Sequence, residues 1–188
     1  MPKIKTSRED ILRSCWALFH ERGYKNTSVQ QLADAAGLGK AGLLHHFGSK
    51  VGLMKAVLDF AVNWYEARLT KIAARPGDPA VRLAAVLQQQ FELVQLNGGG
   101  GCFFGNMILE TGAGDPFANL LKQFHEIWTR VVGAILAERY GAAEAERRAY
   151  RLFVDYQGSV MLYKLYGDPT HLTEFRERTL RSLDHPLP

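Results

Sequence analysis

The chain is poor in cysteine, and the two it has, Cys15 and Cys102, stand far apart with no partner at metal-ligand spacing. That speaks against a disulfide framework and against a zinc site. No stretch approaches the roughly 20 uninterrupted apolar residues needed to cross a bilayer. Met1-Pro2-Lys3-Ile4-Lys5 leads into a charged segment rather than a signal-peptide core, so no membrane partner and a cytoplasmic location are expected. Nothing alternates with the period of a strand, which leaves an all-α fold. Clustered carboxylates and a Glu-x-x-His pair are missing too; His20-Glu21 and His125-Glu126 are mere neighbours. An enzyme of the helical-bundle type would need such a set, so no catalytic residue, metal ligand or cofactor is assigned. The four glycines at 98–101 lack the Gly-Lys-Ser/Thr that a phosphate cradle requires and read as a loop between helices.

What is present is a folding chain of 188 residues, 47% apolar, with a modest net charge of +4. The placement of that charge is uneven. Residues 1–50 hold eight Lys/Arg against four acids, whereas the rest of the chain balances to zero. All the excess positive charge therefore sits on the first quarter, as a segment that meets a polyanion requires. A solvated basic face with no partner remains the alternative on charge alone.

Within that quarter, residues 28–50 read as two short helices joined by a glycine turn. Ser28 with Gln31 has the form of a capping box, and Val29, Leu32, Ala33 and Ala36 share one helical face. Gly37 is placed to take the left-handed conformation that ends a helix, with Leu38 in the corner. The second helix, over residues 40–47, turns Leu43, Leu44 and Phe47 inward and leaves Lys40, Ala41, Gly42, His45 and His46 outside. The arrangement is a helix-turn-helix. Before it, Thr6 with Glu9 predicts a capped helix bearing Ile11, Leu12, Cys15, Trp16, Leu18 and Phe19, stopped at Gly23.

After Ser49-Lys50 a long helix is expected to about residue 75. Asp78-Pro79, Asp115-Pro116 and Asp168-Pro169 each combine a capping aspartate with a proline suited to the first helical position, and each should open a helix. Shorter and longer helices over residues 102–110 and 143–166 complete about nine. The expected organisation is a helix-turn-helix domain over residues 1–49 and a second helical domain over 50–188.

Thr27-Ser28-Val29 to Ala36-Gly37-Leu38, together with Lys40 to Lys50 and its Leu-x-His-His-Phe-x-Ser-Lys ending, resembles the N-terminal signature of the TetR family of bacterial transcriptional regulators. The likeness covers residues 6–60 closely; Gly101-Cys102-Phe103-Phe104-Gly105-Asn106 is similar to a subset of the family. It implies a homodimer paired through its last two helices, which places Met161, Leu165, Leu172, Phe175, Thr179 and Leu183 at the interface, and a cavity for a small-molecule inducer inside the second domain. The implied activity is repression from a partly palindromic double-stranded DNA operator. Two positions depart from the pattern: Gly39 stands where a serine is common, and Leu44 where a tyrosine usually touches phosphate.

On this reading Thr27, Ser28, His46 and Lys50 would contact phosphate, while Lys40, His45, Ala41 and Gly42 meet base edges beside Gly39 and Leu44. His45 and His46 point about 100° apart on a helix, which suits a groove better than one metal ion. Trp64, Phe91, Phe104, Met107, Phe124, Trp128, Phe153 and Tyr156 are candidates to line an apolar cavity, with Asn106, Glu110 or Gln157 orienting its occupant; each taken singly also reads as plain core. Cys102, beside the glycines, opens the alternative of an exposed thiol that senses electrophiles or oxidants. A ligand-independent activator or DNA-organising protein is the other alternative.

Overall fold

The computed structural model describes residues 7–112 and 116–183, with backbone alone at 97–99. The described residues form nine α-helices and no strand: α1 Arg8–Arg22, α2 Val29–Ala35, α3 Lys40–Phe47, α4 Lys50–Ala73, α5 Pro79–Gly99, α6 Phe103–Thr111, α7 Ala118–Tyr140, α8 Ala142–Tyr166 and α9 Thr170–Ser182. The all-α fold with an N-terminal helix-turn-helix is as the periodicity predicts.

Local chemistry accounts for most helix starts. Ser28 and Gln31 make the expected capping box: Gln31 N donates to Ser28 Oγ at 3.2 Å and Ser28 N donates to Gln31 Oε1 at 2.8 Å. In α1 the box forms one residue later than Thr6 and Glu9 predict. Asp10 N donates to Ser7 Oγ at 3.1 Å and Ser7 N to Asp10 Oδ2 at 3.2 Å, because a carboxylate three residues after the serine can reach back. Thr6 lies outside the described residues. Asp78 caps α5 with Pro79 at its first turn, as expected. Asp168 instead accepts from Thr170 N at 2.9 Å across Pro169, which takes the capping position itself, and α9 begins at Thr170 as expected. Asp115 is outside the described residues, and α7 starts at Ala118 behind Phe117.

Helices α7 and α8 form a long hairpin around Gly141, and α4 lies along α7. The core runs continuously from Ile11 and Leu32 through Leu58, Tyr65 and Phe124 to Tyr156 and Phe175. Helix α1 packs on both α4 and α5, so the first three helices are joined to the remainder by side chains as well as by the chain itself.

Candidate functional site

The turn between α2 and α3 is a Schellman arrangement. Leu38 N donates to Ala33 O at 2.9 Å and Gly37 N to Asp34 O at 3.1 Å, with Gly37 at φ 66°. Leu38 packs against the core and Leu43 is buried, which fixes α3 with its opposite face outward. Gly39, Lys40, Ala41, His45 and His46 are exposed on that face, and Gly42 is half-buried. Side chains added at Gly39 or Gly42 would meet nothing within 4 Å, so a surface can approach closely there. Gly39 supplies no side-chain cap, and Leu44 is half-buried. The following Gly52 is obligatory for a different reason: a Cβ there would stand 2.1 Å from Phe47 O, where α4 crosses the end of α3.

The expected phosphate contacts divide. Ser28 is exposed at its cap, and His46 is exposed near the end of α3. Thr27 is 1% exposed and its hydroxyl donates to Gly23 O at 2.6 Å, so its side chain braces the turn instead of facing outward. Lys50 holds its ammonium 4.5 Å from the Tyr24 ring centre, and desolvation lowers its pKa against the raising effect of Glu110. Arg8, unassigned from sequence, lies over Phe47 at 5.2 Å and adds a cation beside α3.

Besides the apolar packing of α1, polar contacts tie this unit to the rest of the chain. The Glu110 carboxylate, near the end of α6, accepts from Tyr24 N at 3.2 Å and Lys25 N at 2.9 Å. His20 on α1 is buried, with Nε2 2.7 Å from Gly101 O. Burial lowers the His20 pKa, opposed by that hydrogen bond and assisted by Lys164, so the neutral ring that donates to the carbonyl is favoured.

Between these contacts lies a cavity of about 270 Å³, walled by Trp16 and His20 of α1, Trp64 and Tyr65 of α4, Gln90 of α5, Phe104 of α6, Phe124 of α7 and Tyr156 of α8. Four predicted lining residues, Trp64, Phe104, Phe124 and Tyr156, converge there. Phe104 and Phe124 stack at 4.0 Å. Phe91, Met107 and Trp128 are buried in the core away from that wall. Phe153 faces a separate groove with Asn106, Gln157 and Met161. None of the three predicted orienting groups lines the cavity. Asn106 donates to Gly100 O, Gln157 donates to Cys102 Sγ, and Glu110 holds the α1–α2 turn. Among the polar groups that do line it, His20, Tyr65 and Gln90 were missed because they sit within helical stripes that also read as core. The cavity is consequently not inside the second domain alone; α1 forms one of its walls.

Cys102 is not the exposed thiol its neighbouring glycines suggest. It is 8% exposed, caps α6 by accepting from Gly105 N at 3.4 Å, and burial pushes its pKa up. A buried, protonated thiol is a poor nucleophile, which removes the basis of the oxidant-sensor alternative. Cys15 is fully buried as expected, its pKa raised to about 11 by desolvation.

Residues 11–57 match the family described as bacterial regulatory proteins, tetR family, a span that takes in the whole helix-turn-helix. The helix-turn-helix is that of the TetR family. Among similar proteins, an HTH-type transcriptional regulator in the lacX 3'region of Lactococcus lactis subsp. lactis is 27% identical over 88% of this chain and 87% of its own. The transcriptional repressor KstR2 of Mycobacterium tuberculosis is 31% identical over 50% of this chain, and that match spans 46% of the relative's length. The fold is that of a TetR transcriptional regulator from Legionella pneumophila, with a TM-score of 0.88 and 23% identity over 96% of this chain and 98% of the other.

The dimer face expected of a TetR-family chain requires one correction. Leu172, Phe175, Thr179 and Leu183 are all 5% exposed or less; Phe175 packs against Phe91 and Tyr156. They seat α9 on its own chain, because the narrow apolar stripe of α9 is used up on α5 and α8. Met161 and Leu165 are 59% and 69% exposed, in line with Tyr150 and Val154 on the outer face of α8.

Proposed function

We propose that this TetR-family transcriptional regulator is a repressor that binds a partly palindromic operator as a homodimer and is released by a small apolar or aromatic inducer. Helix α6 carries the reading. At ~1.5 Å per residue its nine residues make a rod of roughly 13 Å. Phe104, near its start, walls the cavity, and Glu110, near its end, holds two backbone amides of the α1–α2 turn. An occupant that moves α6 thereby moves the helix-turn-helix. It acts only in so far as it prefers the conformation whose recognition helices no longer match the DNA.

Residues 1–49 are the DNA-binding domain and 50–188 the ligand-binding and dimerisation domain, with α1 shared between reading head and cavity. Two copies of α3 enter successive major grooves about 34 to 36 Å apart. Lys40 donates to guanine O6 or N7, His45 meets a second base edge, and Ala41 and Gly42 allow close approach to a thymine methyl. Ser28, His46 and Lys50 bind phosphate, with Arg8 beside them. The copies pair through the exposed apolar stripe of α8, Tyr150, Val154, Met161 and Leu165, which the described residues leave uncovered.

The test is selection of bound fragments from random DNA by the purified protein, followed by footprinting. Two half-sites one helical turn apart, related by a dyad, are expected. Enrichment of a single half-site, or of no sequence, overturns the dimeric-operator reading. A footprint indifferent to every compound that raises the melting temperature would instead favour ligand-independent action.

A further inference from the structure

The cavity has one polar feature that its apolar walls do not explain. Gln90 is 2% exposed and lines the space; its Oε1 accepts from Tyr65 OH at 3.1 Å, while its Nε2 has no hydrogen-bond partner. Exchanging the amide's oxygen and nitrogen would leave two groups over, the Gln90 Oε1 acceptor and the Tyr65 hydroxyl donor, whereas the orientation that keeps the Tyr65 bond leaves only the Nε2 donor. A buried donor without an acceptor costs about 1–3 kcal/mol. It is satisfied when an acceptor enters.

Charge narrows the class of occupant. Among the described residues no carboxylate lines the cavity. The Arg13 guanidinium at its rim is half exposed, paired with Glu9 and laid over Phe60. Burial favours neutral His20. A cation would find no counter-charge, and a carboxylate would give up its hydration for a neutral amide. Size narrows it further, since an apolar cavity of about 150 Å³ holds benzene. The larger volume here, about 270 Å³, suits one substituted ring or two fused rings between faces supplied by Trp16, Trp64, Phe104 and Phe124.

We infer that the cavity binds an uncharged, flat aromatic molecule of one or two rings bearing a carbonyl oxygen, to which Gln90 Nε2 donates. This deepens the ligand-released reading and rests on it. Because Trp16 and His20 belong to α1, such a ligand touches the first helix of the DNA-binding domain directly as well as acting through α6.

The test uses four probes of one shape: 1-indanone, indane, 1-aminoindane and indane-1-carboxylate. Each is titrated into the full-length protein by quenching of tryptophan fluorescence, with calorimetry as a check. The ketone should bind about tenfold or more tighter than the hydrocarbon, the amine or the acid. In Gln90→Leu the ketone and hydrocarbon should bind alike, with hydrocarbon binding retained as proof of an intact cavity. Gln90→Met takes its place if the leucine protein melts early. Equal binding of ketone and hydrocarbon to the wild type, tighter binding of the amine or acid, or no binding by any probe overturns the assignment. The regulatory reading fails separately: if the ketone binds as stated and leaves the operator complex unchanged, the site stands and ligand release does not.

Discussion

The helix-turn-helix and the cavity are built from contacts of different reach. In the former, a capping box spans three positions, the α2–α3 turn closes over six residues, and Cys15 meets Leu32 O across seventeen. In the latter, Tyr65 finds Gln90 across 25 positions and His20 finds Gly101 across 81, and at the joint between the two regions Glu110 finds Tyr24 across 86. Local contacts tolerate change elsewhere in the chain, whereas a wall assembled from several helices depends on every one of them. The second region should therefore lose more stability when a single side chain is removed, and the first should lose recognition with little loss of stability.

The largest effect should come from Phe124→Ala. Phe124 is 1% exposed, stacked on Phe104 and in contact with Tyr65 and Phe153. Its loss should cost about 3–5 kcal/mol. In a chain of this size that is roughly 6 to 20 °C in Tm by calorimetry. A drop under about 2 °C would show that the cavity region repacks freely and would dissolve the contrast.

Lys40→Ala tests the other half. Operator affinity should fall by roughly 1 to 3 kcal/mol with relaxed preference at one base position and an unchanged Tm. Equal weakening on every sequence would make Lys40 a phosphate contact.

Glu110→Gln probes the joint between the regions. Replacing the charged acceptor of two backbone amides should cost about 1 kcal/mol. It should also reduce the change in operator affinity on adding ligand, measured by fluorescence anisotropy, more than it changes ligand affinity.

His20 gives a pH signature at the same joint. Burial holds its pKa below the ordinary imidazole value, so the folded state prefers the neutral ring. The stabilisation is fully present above about pH 6.5 and falls away as the pH drops below it toward the lower folded value. Melting curves from pH 8 to 5 should show that loss, and His20→Gln should flatten it.

The smallest effect is expected from Gly39→Ser. The position has an ordinary φ of −77°, open space around it and no side-chain cap on α3. A serine there should add a few tenths of a kcal/mol to stability. A gain in operator affinity alongside it would show that the uncapped start of α3 limits binding.

The order of the nine helices among the described residues, the helix-turn-helix and its outward face followed from the sequence because capping boxes, turn glycines and helical periodicity are local; α5 overran its expected end, running to Gly99 through two glycines that read as loop. Residues three to seven positions apart decide them. The same periodicity misplaced Leu172, Phe175, Thr179 and Leu183, since an apolar stripe records that a face will be covered and not whether its own chain or a second copy covers it. The exposed-thiol alternative for Cys102 failed for a related reason, since a sulfur side chain beside glycines looks exposed until a distant helix, here α8 with Gln157, closes over it; Thr27 turned inward through a local bond to Gly23 O. Lining the cavity with His20, Tyr65 and Gln90, and drawing α1 into its wall, was left to the tertiary structure. Those neighbours come from separate helices, and only the packing of whole helices brings them within reach of one ligand.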